Sequence, residues 1–164
     1  MPGAGKTTVG AALAQLMQWG FVDIDDVVAH DVGDIAAFIE ANGIEAFRAQ
    51  ERTALEAVTG AIRAAAAPSS VVSVGGGAVL DSANRAVLRA TGPVVWLRAT
   101  VDTLRDHVGD GVGRPLLAGD AAAALGRMRA EREPLYASTA NHTVDVDGLD
   151  PNEVAVEIVK AIAS

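Results

Sequence analysis

The segment Gly3-Ala4-Gly5-Lys6-Thr7-Thr8 opens a stretch whose apolar residues recur at helical spacing. Glycines let successive backbone N–H groups curl around phosphate oxygens, and a helix N-terminus presents its positive dipole end to an anion. In such a loop the lysine reaches the β- and γ-phosphates of a nucleotide, and the hydroxyl that follows ligates Mg²⁺. The segment therefore predicts a phosphate-binding loop, with Lys6 on the phosphates and Thr7 on the metal. A glycine turn that caps an ordinary helix is the alternative interpretation.

Short apolar strand patterns alternate with helical patterns along the rest of the chain. Strands are predicted at residues 20–24, 71–74, 93–97 and 142–146. Helices are predicted at residues 6–18, 25–40 with a break near Gly33, 44–66, 81–90, 100–108, 121–137 and 150–163. This alternation is typical of an α/β chain with a mostly parallel sheet. Because the 164 residues show no repeat and no long linker, residues 1–164 are predicted to form a single domain.

The beginning of the phosphate-loop pattern does not fit within the chain. In the pattern G-x-x-x-x-G-K-[ST] the first glycine would stand one residue before Met1, and no apolar strand precedes the loop. In a doubly wound nucleotide-binding fold that strand is central. We therefore expect a slot, that is, a gap of one strand, in the middle of the sheet. The strands on both sides of it would have backbone N–H and C=O groups without partners. Two explanations stay open: a chain start placed too late or a shortened chain, and a degenerate domain that binds nucleotide poorly.

The charge balance limits the kinds of partner. Acidic residues outnumber basic ones by 21 to 13, the net charge is −8, and the lysines are Lys6 and Lys160 alone. Because nucleic-acid binding needs clustered positive charge, we expect no nucleic-acid partner and only small anionic ligands held by a few cations. The absence of cysteine excludes a disulfide scaffold, a thiolate zinc site and a cysteine nucleophile. No apolar run reaches the roughly 18 residues of a membrane span, and no secretory leader is recognisable, so we expect a cytoplasmic protein without a membrane partner.

Asp23 and Asp25 stand two residues apart at the end of the first predicted strand. Residues i and i+2 of a strand share a face, so both carboxylates are expected in the crevice beyond the strand's carboxyl end, where ligands bind in such sheets. One carboxylate can hold Mg²⁺ directly or through water, and the other can orient a substrate hydroxyl and accept its proton. Helix capping is the alternative interpretation, and it suits Asp26 better than the other two.

Two further features are weak when taken singly. Gly75, Gly76 and Gly77 follow a buried strand pattern, which suits a close backbone approach to a ligand as well as a flexible turn. Arg48 and Glu51 lie three residues apart on one predicted helix and can pair. Such a pair would hold the guanidinium for a carboxylate, and a solvated surface pair is the alternative.

Two arginines lie further along the chain. Arg114 lies in a glycine-rich stretch at about residues 109–120, which suits a lid that closes and places positive charge on a transferring phosphoryl group. Arg132 lies near the end of the helix predicted after that lid.

The order and spacing of these motifs resemble those of shikimate kinases, small members of the nucleoside-monophosphate-kinase-like P-loop group. The resemblance runs from Met1 to the C-terminal helix. Its motifs are the phosphate-loop segment, Asp23-Ile24-Asp25, Phe47-Arg48 with Glu51, Gly75-Gly76-Gly77-Ala78, Arg114-Pro115-Leu116-Leu117 and Arg132-Glu133-Pro134-Leu135-Tyr136. The resemblance implies a P-loop three-layer α/β/α fold with a parallel sheet in the order 2-3-1-4-5, whose first strand is missing from this chain. It also implies a mobile lid at about residues 109–120 and substrate-binding helices at about residues 25–66.

The resemblance further implies an ATP-dependent kinase that phosphorylates the 3-hydroxyl of shikimate, in the biosynthesis of chorismate and aromatic amino acids. The implied ATP-binding residues are Gly3, Ala4, Gly5, Lys6, Thr7, Thr8 and Arg114. The implied Mg²⁺ ligands are Thr7 and Asp23, and the implied catalytic residues are Lys6, Asp25 as base, and Arg114. The implied shikimate-binding residues are Asp25, Gly75, Gly76, Gly77 and two arginines that clamp the carboxylate, Arg48 and Arg132. The expected partners are ATP and shikimate, and a monomer is expected.

The adenine end departs from the family pattern, in which an arginine after the last strand commonly packs on the base. Neither residues 146–150 nor residues 107–113 contain an arginine, so adenine would rest on Arg105 or on aliphatic side chains. Two other functions stay open. One is a kinase for another small metabolite, such as gluconate or a nucleoside monophosphate; the other is a non-catalytic P-loop domain with a binding or regulatory role.

Overall fold

The computed structural model describes residues 1–65, 69–108 and 121–164. The helices in these ranges are α1 (Lys6–Met17), α2 (Ile24–Val32), α3 (Ile35–Asn42), α4 (Ile44–Ala64), α5 (Ser82–Thr91), α6 (Val101–Val108), α7 (Ala121–Thr139) and α8 (Pro151–Ala163). The strands are β1 (Gly20–Asp23), β2 (Ser70–Ser73), β3 (Val95–Arg98) and β4 (His142–Asp145). None of the described helices has the length and apolarity needed to cross a membrane. The predicted lid, with Arg114, lies outside the described residues.

The described strands form two parallel pairs. β1 pairs with β2 from Gly20 opposite Ser70 onwards, and β3 pairs with β4 from Val95 opposite His142 onwards. The connection from β2 through α5 to β3 is a strand–helix–strand crossover, the usual link between parallel strands. In the predicted strand order 2-3-1-4-5, strands 2, 3, 4 and 5 correspond to β1, β2, β3 and β4 of this structure. The two observed pairs are therefore the 2-3 and 4-5 neighbours of that order.

Helices cover both faces of the strands. Successive residues of a strand point to opposite faces, and Val71 packs against one apolar cluster whereas Val72 packs against another. The first cluster draws mainly on α1, α7 and α8, and the second on α2 and α4. The chain therefore has the predicted three-layer α/β/α arrangement.

Acidic side chains set the starts of two helices near the predicted ends. The Asp23 carboxylate accepts a 3.0 Å hydrogen bond from the N–H of Asp25, so β1 ends there and α2 begins one residue later. The expectation that capping suits Asp26 better than Asp23 is therefore wrong, because the Asp23 carboxylate accepts the hydrogen bond from the N–H of Asp25 in the first turn. Asp150 caps α8 and forms a reciprocal capping box with Glu153.

An apolar cavity of about 420 Å³ lies between the two pairs of strands. Residues of β2 and β3 line it, together with side chains of the surrounding helices such as Leu13 and Ile158. Within the described residues, β2 pairs only with β1 and β3 pairs only with β4. The structure thus contains the slot that the sequence predicts in the middle of the sheet.

Candidate active site

The phosphate-loop segment forms a tight turn that leads into α1. Gly3 and Gly5 have positive φ values of 78° and 74°, in the region that favours glycine. A Cβ on Gly3 would lie 2.6 Å from the carbonyl oxygen of Leu104, so only glycine lets the loop approach α6 this closely. Among the described residues no side chain caps the N-terminus of α1, which leaves its first N–H groups suited to an anion.

Lys6 and His107 hold the loop from two sides. The Nζ of Lys6 donates a 3.0 Å hydrogen bond to the carbonyl oxygen of Met1, so the lysine folds back over the loop. The Nδ1 of His107, in the last turn of α6, lies 2.9 Å from the carbonyl oxygen of Gly3. Because a carbonyl oxygen only accepts, the imidazole is the donor. Both contacts brace the backbone that would surround a phosphate.

Thr7 and Asp23 meet where α1 passes the end of β1. The Thr7 hydroxyl donates a 2.6 Å hydrogen bond to Oδ2 of Asp23, which is only 6% exposed. A hydroxyl and a carboxylate are hard oxygen donors of the kind that Mg²⁺ prefers, and this ion completes its shell with water and phosphates. No group of three or more acidic or histidine side chains forms a metal cage in the described part of the chain. The pair therefore fits a magnesium ion shared with a phosphate.

Asp25 and Glu51 face the backbone of Gly75 from α2 and α4. A Cβ on Gly75 would collide with Oε1 of Glu51 and would lie 3.2 Å from Oδ1 of Asp25. Burial, and then the charge of Asp25, raise the pKa of Glu51 to about 7 against the pull of nearby cations. Burial, and then the charge of Asp23, also raise the pKa of Asp25, while Lys6 lowers it. Two carboxyl groups whose pKa values are raised thus share one cleft and can hold or take a proton there.

The carbonyl oxygen of Gly76 accepts two hydrogen bonds from α7. Nη1 of Arg132 lies 3.1 Å away and the hydroxyl of Tyr136 lies 2.7 Å away. Arg132 is 6% exposed, and its buried Nε has no hydrogen-bond partner among the described residues. A buried guanidinium with an unsatisfied donor is costly unless an anion pairs with it, so this position suits an anionic ligand.

Arg48 has a different partner from the one that the sequence suggests. Its Nη1 donates to Oε1 of Glu45 at 2.7 Å, and its side chain is 37% exposed. The predicted pairing with Glu51 is wrong, because Glu51 turns inward to Gly75 while Glu45 is equally close along the helix. The charge of Arg48 still lowers the pKa of Glu51, which places the guanidinium near the same cleft.

Other predicted site residues lie at the margin. Ala4 is a buried residue of the loop, Thr8 is exposed, and the Cβ position of Gly77 has no heavy atom within 4 Å. Arg105, considered for the adenine end, forms ion pairs with Asp102 and Asp106. Arg114 lies outside the described residues, so its position in the site stays a prediction.

Two side chains in the site were not assigned from the sequence. Tyr136 stands four residues after Arg132, and this helical spacing was the available signal that both reach one target. Burial raises the pKa of Tyr136 to about 12, so its hydroxyl remains a donor, and its ring stacks on Trp96 with centroids 5.7 Å apart. His107 gives no such signal, because only the fold brings α6 against the phosphate loop.

These elements meet at the carboxyl ends of β1 and β2, the crevice where ligands bind in open α/β sheets. They comprise a glycine loop at a helix start, a hydroxyl–carboxylate pair, two carboxyl groups with raised pKa values, and a buried guanidinium. Together they define a P-loop phosphotransferase that acts on a small anionic acceptor.

Comparisons with known proteins give the family. The shikimate kinase family model matches residues 2–163. A shikimate kinase of Symbiobacterium thermophilum is 40% identical over 98% of this chain and 91% of its own length, and one of Salinispora arenicola is 40% identical over 99% and 94%. The solved shikimate kinase from Acinetobacter baumannii in complex with shikimate has a TM-score of 0.91 and 31% identity, over 99% of this chain and 89% of that one. The chain belongs to the shikimate kinase family.

The comparisons confirm three predictions made from the sequence. The family is the one that the motifs indicate, the fold class is the P-loop α/β fold, and the enzyme class is a phosphotransferase with an alcohol acceptor. The roles of individual residues stay predictions, and they are taken up below.

Gly75 and Gly77 offer a matched test of the close backbone approach. A methyl group at Gly75 would collide with Glu51, whereas Gly77 has open space and an ordinary helical backbone with φ of −90°. We expect Gly75→Ala to lower the free energy of unfolding by about 1–3 kcal/mol and Gly77→Ala to change it by less than about 0.5 kcal/mol. Urea unfolding followed by circular dichroism measures both. Equal losses in the two variants would contradict the tight packing at Gly75.

The raised pKa of Glu51 predicts a pH-dependent stability. Between its ordinary pKa of 4.5 and its folded value of about 7, the folded state keeps a proton that the unfolded chain has released. Stability therefore falls as the pH rises through this window, by on the order of 3 kcal/mol from this group.

Glu51→Gln imitates the protonated acid, so it should match the wild type at the acid end of this window and exceed its stability above pH 7. Urea unfolding at a series of pH values measures the difference, with the exposed Glu45→Gln as the control that should show no such divergence. A wild-type profile that runs parallel to the Glu51→Gln profile throughout would contradict the buried acid.

Proposed function

We propose that this chain transfers the terminal phosphoryl group of ATP to the 3-hydroxyl of shikimate, giving shikimate 3-phosphate and ADP. The observation that carries the proposal is the cleft at Gly75 and Gly76. There Asp25 faces the same backbone segment that the buried Arg132 holds by hydrogen bonding. The cleft thus offers a proton acceptor for a hydroxyl and a guanidinium for a carboxylate, the two groups that shikimate presents.

The phosphate loop receives the nucleotide. The N–H groups from Gly3 to Thr8 surround the phosphates, and Lys6 exchanges its hydrogen bond to the Met1 carbonyl for the β- and γ-phosphate oxygens. Arg114 from the lid meets the transferring phosphoryl group, and lid closure excludes water that would otherwise hydrolyse ATP. Lys6 and Arg114 thereby neutralise charge in the transition state.

Thr7 would hold a magnesium ion directly, and Asp23 would support it through water. Their 2.6 Å contact shows that the two oxygen donors already lie side by side. When bound, Mg²⁺ would supply positive charge that neutralises phosphate oxygens.

The acceptor lies between α2, α7 and the Gly75–Gly77 backbone. Arg132 and Arg48 clamp the shikimate carboxylate, for which the guanidinium fork is suited. Asp25 accepts the proton of the 3-hydroxyl as its oxygen bonds to the γ-phosphorus and the bond to the ADP oxygen breaks. The raised pKa of Asp25 suits this role, because a base is most effective when its pKa approaches the working pH.

We further propose that the enzyme acts as a cytoplasmic monomer whose partners are ATP and shikimate. The cleft at Gly75 and Gly76 is formed by α2, α4 and α7 of this chain. The net charge of −8 disfavours a nucleic-acid surface, and the anions are held by a few placed cations instead.

Asp25→Asn tests the base and the activity together. The amide keeps the shape but cannot take the proton, so we expect kcat to fall by about 10²–10⁴-fold. A coupled assay of shikimate-dependent ADP release measures the loss, with the exposed neighbour Asp26→Asn as matched control. Undiminished turnover in Asp25→Asn would refute the base assignment. Wild-type protein that is folded yet releases no ADP with shikimate would refute the proposed function and favour a non-catalytic domain or another acceptor.

Arg132→Lys tests the carboxylate clamp. Lysine keeps the charge but loses the planar guanidinium fork, and it weakens the contact to Gly76. The KM for shikimate should therefore rise by about tenfold or more, while the KM for ATP changes little. Arg129, which pairs with Glu133 on the same helix, provides the matched control Arg129→Lys. Steady-state kinetics with each substrate varied separately distinguish the outcomes. An equal rise in both KM values would indicate general damage to the site.

A further inference from the structure

His107 connects α6 to the backbone of the phosphate loop. Its Nδ1 donates a 2.9 Å hydrogen bond to the carbonyl oxygen of Gly3. The imidazole is exposed, so it contributes little to the packing of the core. The contact therefore acts on the conformation of the loop rather than on the stability of the fold.

Gly3 allows α6 to lie directly against the loop. Its φ is 78°, and a Cβ at this position would lie 2.6 Å from the carbonyl oxygen of Leu104 and 2.8 Å from Cγ2 of Val108. Both residues belong to the same turn region of α6 as His107. Because no side chain stands between helix and loop, the imidazole reaches the loop carbonyl.

The hydrogen bond sets the direction of the peptide group between Gly3 and Ala4. In a trans peptide group the C=O and the N–H point in opposite directions. The Gly3 carbonyl points to His107, and the Ala4 N–H points instead to the carbonyl oxygen of Met1, at 3.4 Å. Nζ of Lys6 donates to that same oxygen at 3.0 Å. The Ala4 N–H and the Lys6 ammonium thus converge on one point, where a phosphate oxygen can replace the carbonyl.

We infer that His107 is a positioning residue for the nucleotide: by holding the Gly3 carbonyl, it keeps the Ala4 N–H directed at the phosphates. This role rests on the proposed binding of ATP at the loop. Glycine populates many backbone conformations, so the Gly3–Ala4 peptide group would otherwise rotate freely. A donor on the Gly3 carbonyl restricts that rotation, so less conformational entropy is lost when the phosphates bind.

The tautomer of His107 tests the contact without any ligand. A neutral imidazole carries its proton on one of its two nitrogens, and only the Nδ1–H form donates to the Gly3 carbonyl. Long-range ¹H–¹⁵N spectra of histidine-labelled protein at about pH 8.5, where imidazole is neutral, distinguish the two forms. The chain has three histidines, and the spectrum of His107→Asn identifies the signal of His107. We expect the Nδ1–H form, and the Nε2–H form would overturn the proposal.

Nucleotide binding tests the effect on affinity. His107→Leu removes the donor, and we expect the dissociation constant for ADP with Mg²⁺ to rise about three- to tenfold, as for the loss of one hydrogen bond. His107→Asn places an amide N–H near the position of Nδ1, so it should restore most of the wild-type affinity. His142→Leu, at the amino end of β4 and away from the loop, is the matched control that should bind like the wild type.

Isothermal titration calorimetry measures the four proteins, and circular dichroism checks that they fold. Because the His107 side chain is exposed, we expect its substitution to leave the fold intact. If His107→Leu does not fold, His107→Ala takes its place. Unchanged affinity in the folded variant without the donor would overturn the proposal. An equal loss of affinity in His107→Asn would overturn it too, because the donor would then be irrelevant.

Inorganic tripolyphosphate separates positioning of the loop from contact with the base. It carries phosphates without a base, so His107→Leu should weaken the binding of tripolyphosphate and of ADP by the same factor. A loss for ADP alone would show that the imidazole contacts the base, and it would overturn the proposal.

These binding experiments need no turnover, so they are independent of the acceptor. Wild-type protein that binds ADP without phosphorylating shikimate would refute the proposed function alone. Folded wild-type protein that binds neither ADP nor tripolyphosphate would overturn the positioning role.

Discussion

The site depends on a backbone segment without side chains at the carboxyl end of β2. At Gly75 and Gly76 three other parts of the chain come within contact distance: Glu51 from α4, Arg132 with Tyr136 from α7, and Met1 at the start of the phosphate loop. Any Cβ here would push one of them away. The glycines thus let α4 and α7 close onto the loop that is proposed to bind the phosphates.

The raised pKa values and the unsatisfied donor in this cleft follow from the close packing at Gly75 and Gly76. Acidic groups and cations are buried together without forming simple pairs: Asp25 and Glu51 have raised pKa values, and Arg132 keeps an unsatisfied Nε. Such an arrangement is costly in the free protein, since buried charges normally require partners. Under the proposed function, a substrate with a carboxylate and hydroxyls would supply the missing partners, so the same feature that limits stability would favour binding.

The two strand pairs pack against different sets of helices. The β1–β2 pair and its helices lie beside the proposed acceptor side of the site, whereas the β3–β4 pair packs with α1 and α8 in the larger apolar cluster. Helices hold the halves together across the cavity, because α1 packs against both β2 and α8. Within the described residues, one edge of each strand pair thus faces the same apolar cavity.

Local sequence patterns predicted the glycine turn that leads into α1, the acids at the end of β1, the α/β alternation and the family. These depend on local requirements, such as glycine at positive φ or a hydroxyl after a lysine, and spacing along the chain carries that information. Tertiary structure alone decided that Arg48 pairs with Glu45, that Glu51 turns to Gly75, and that His107 reaches Gly3. Spacing offers a side chain several partners on one helix face. The approach of another helix buries some of these partners and leaves others in solvent, and so selects among them.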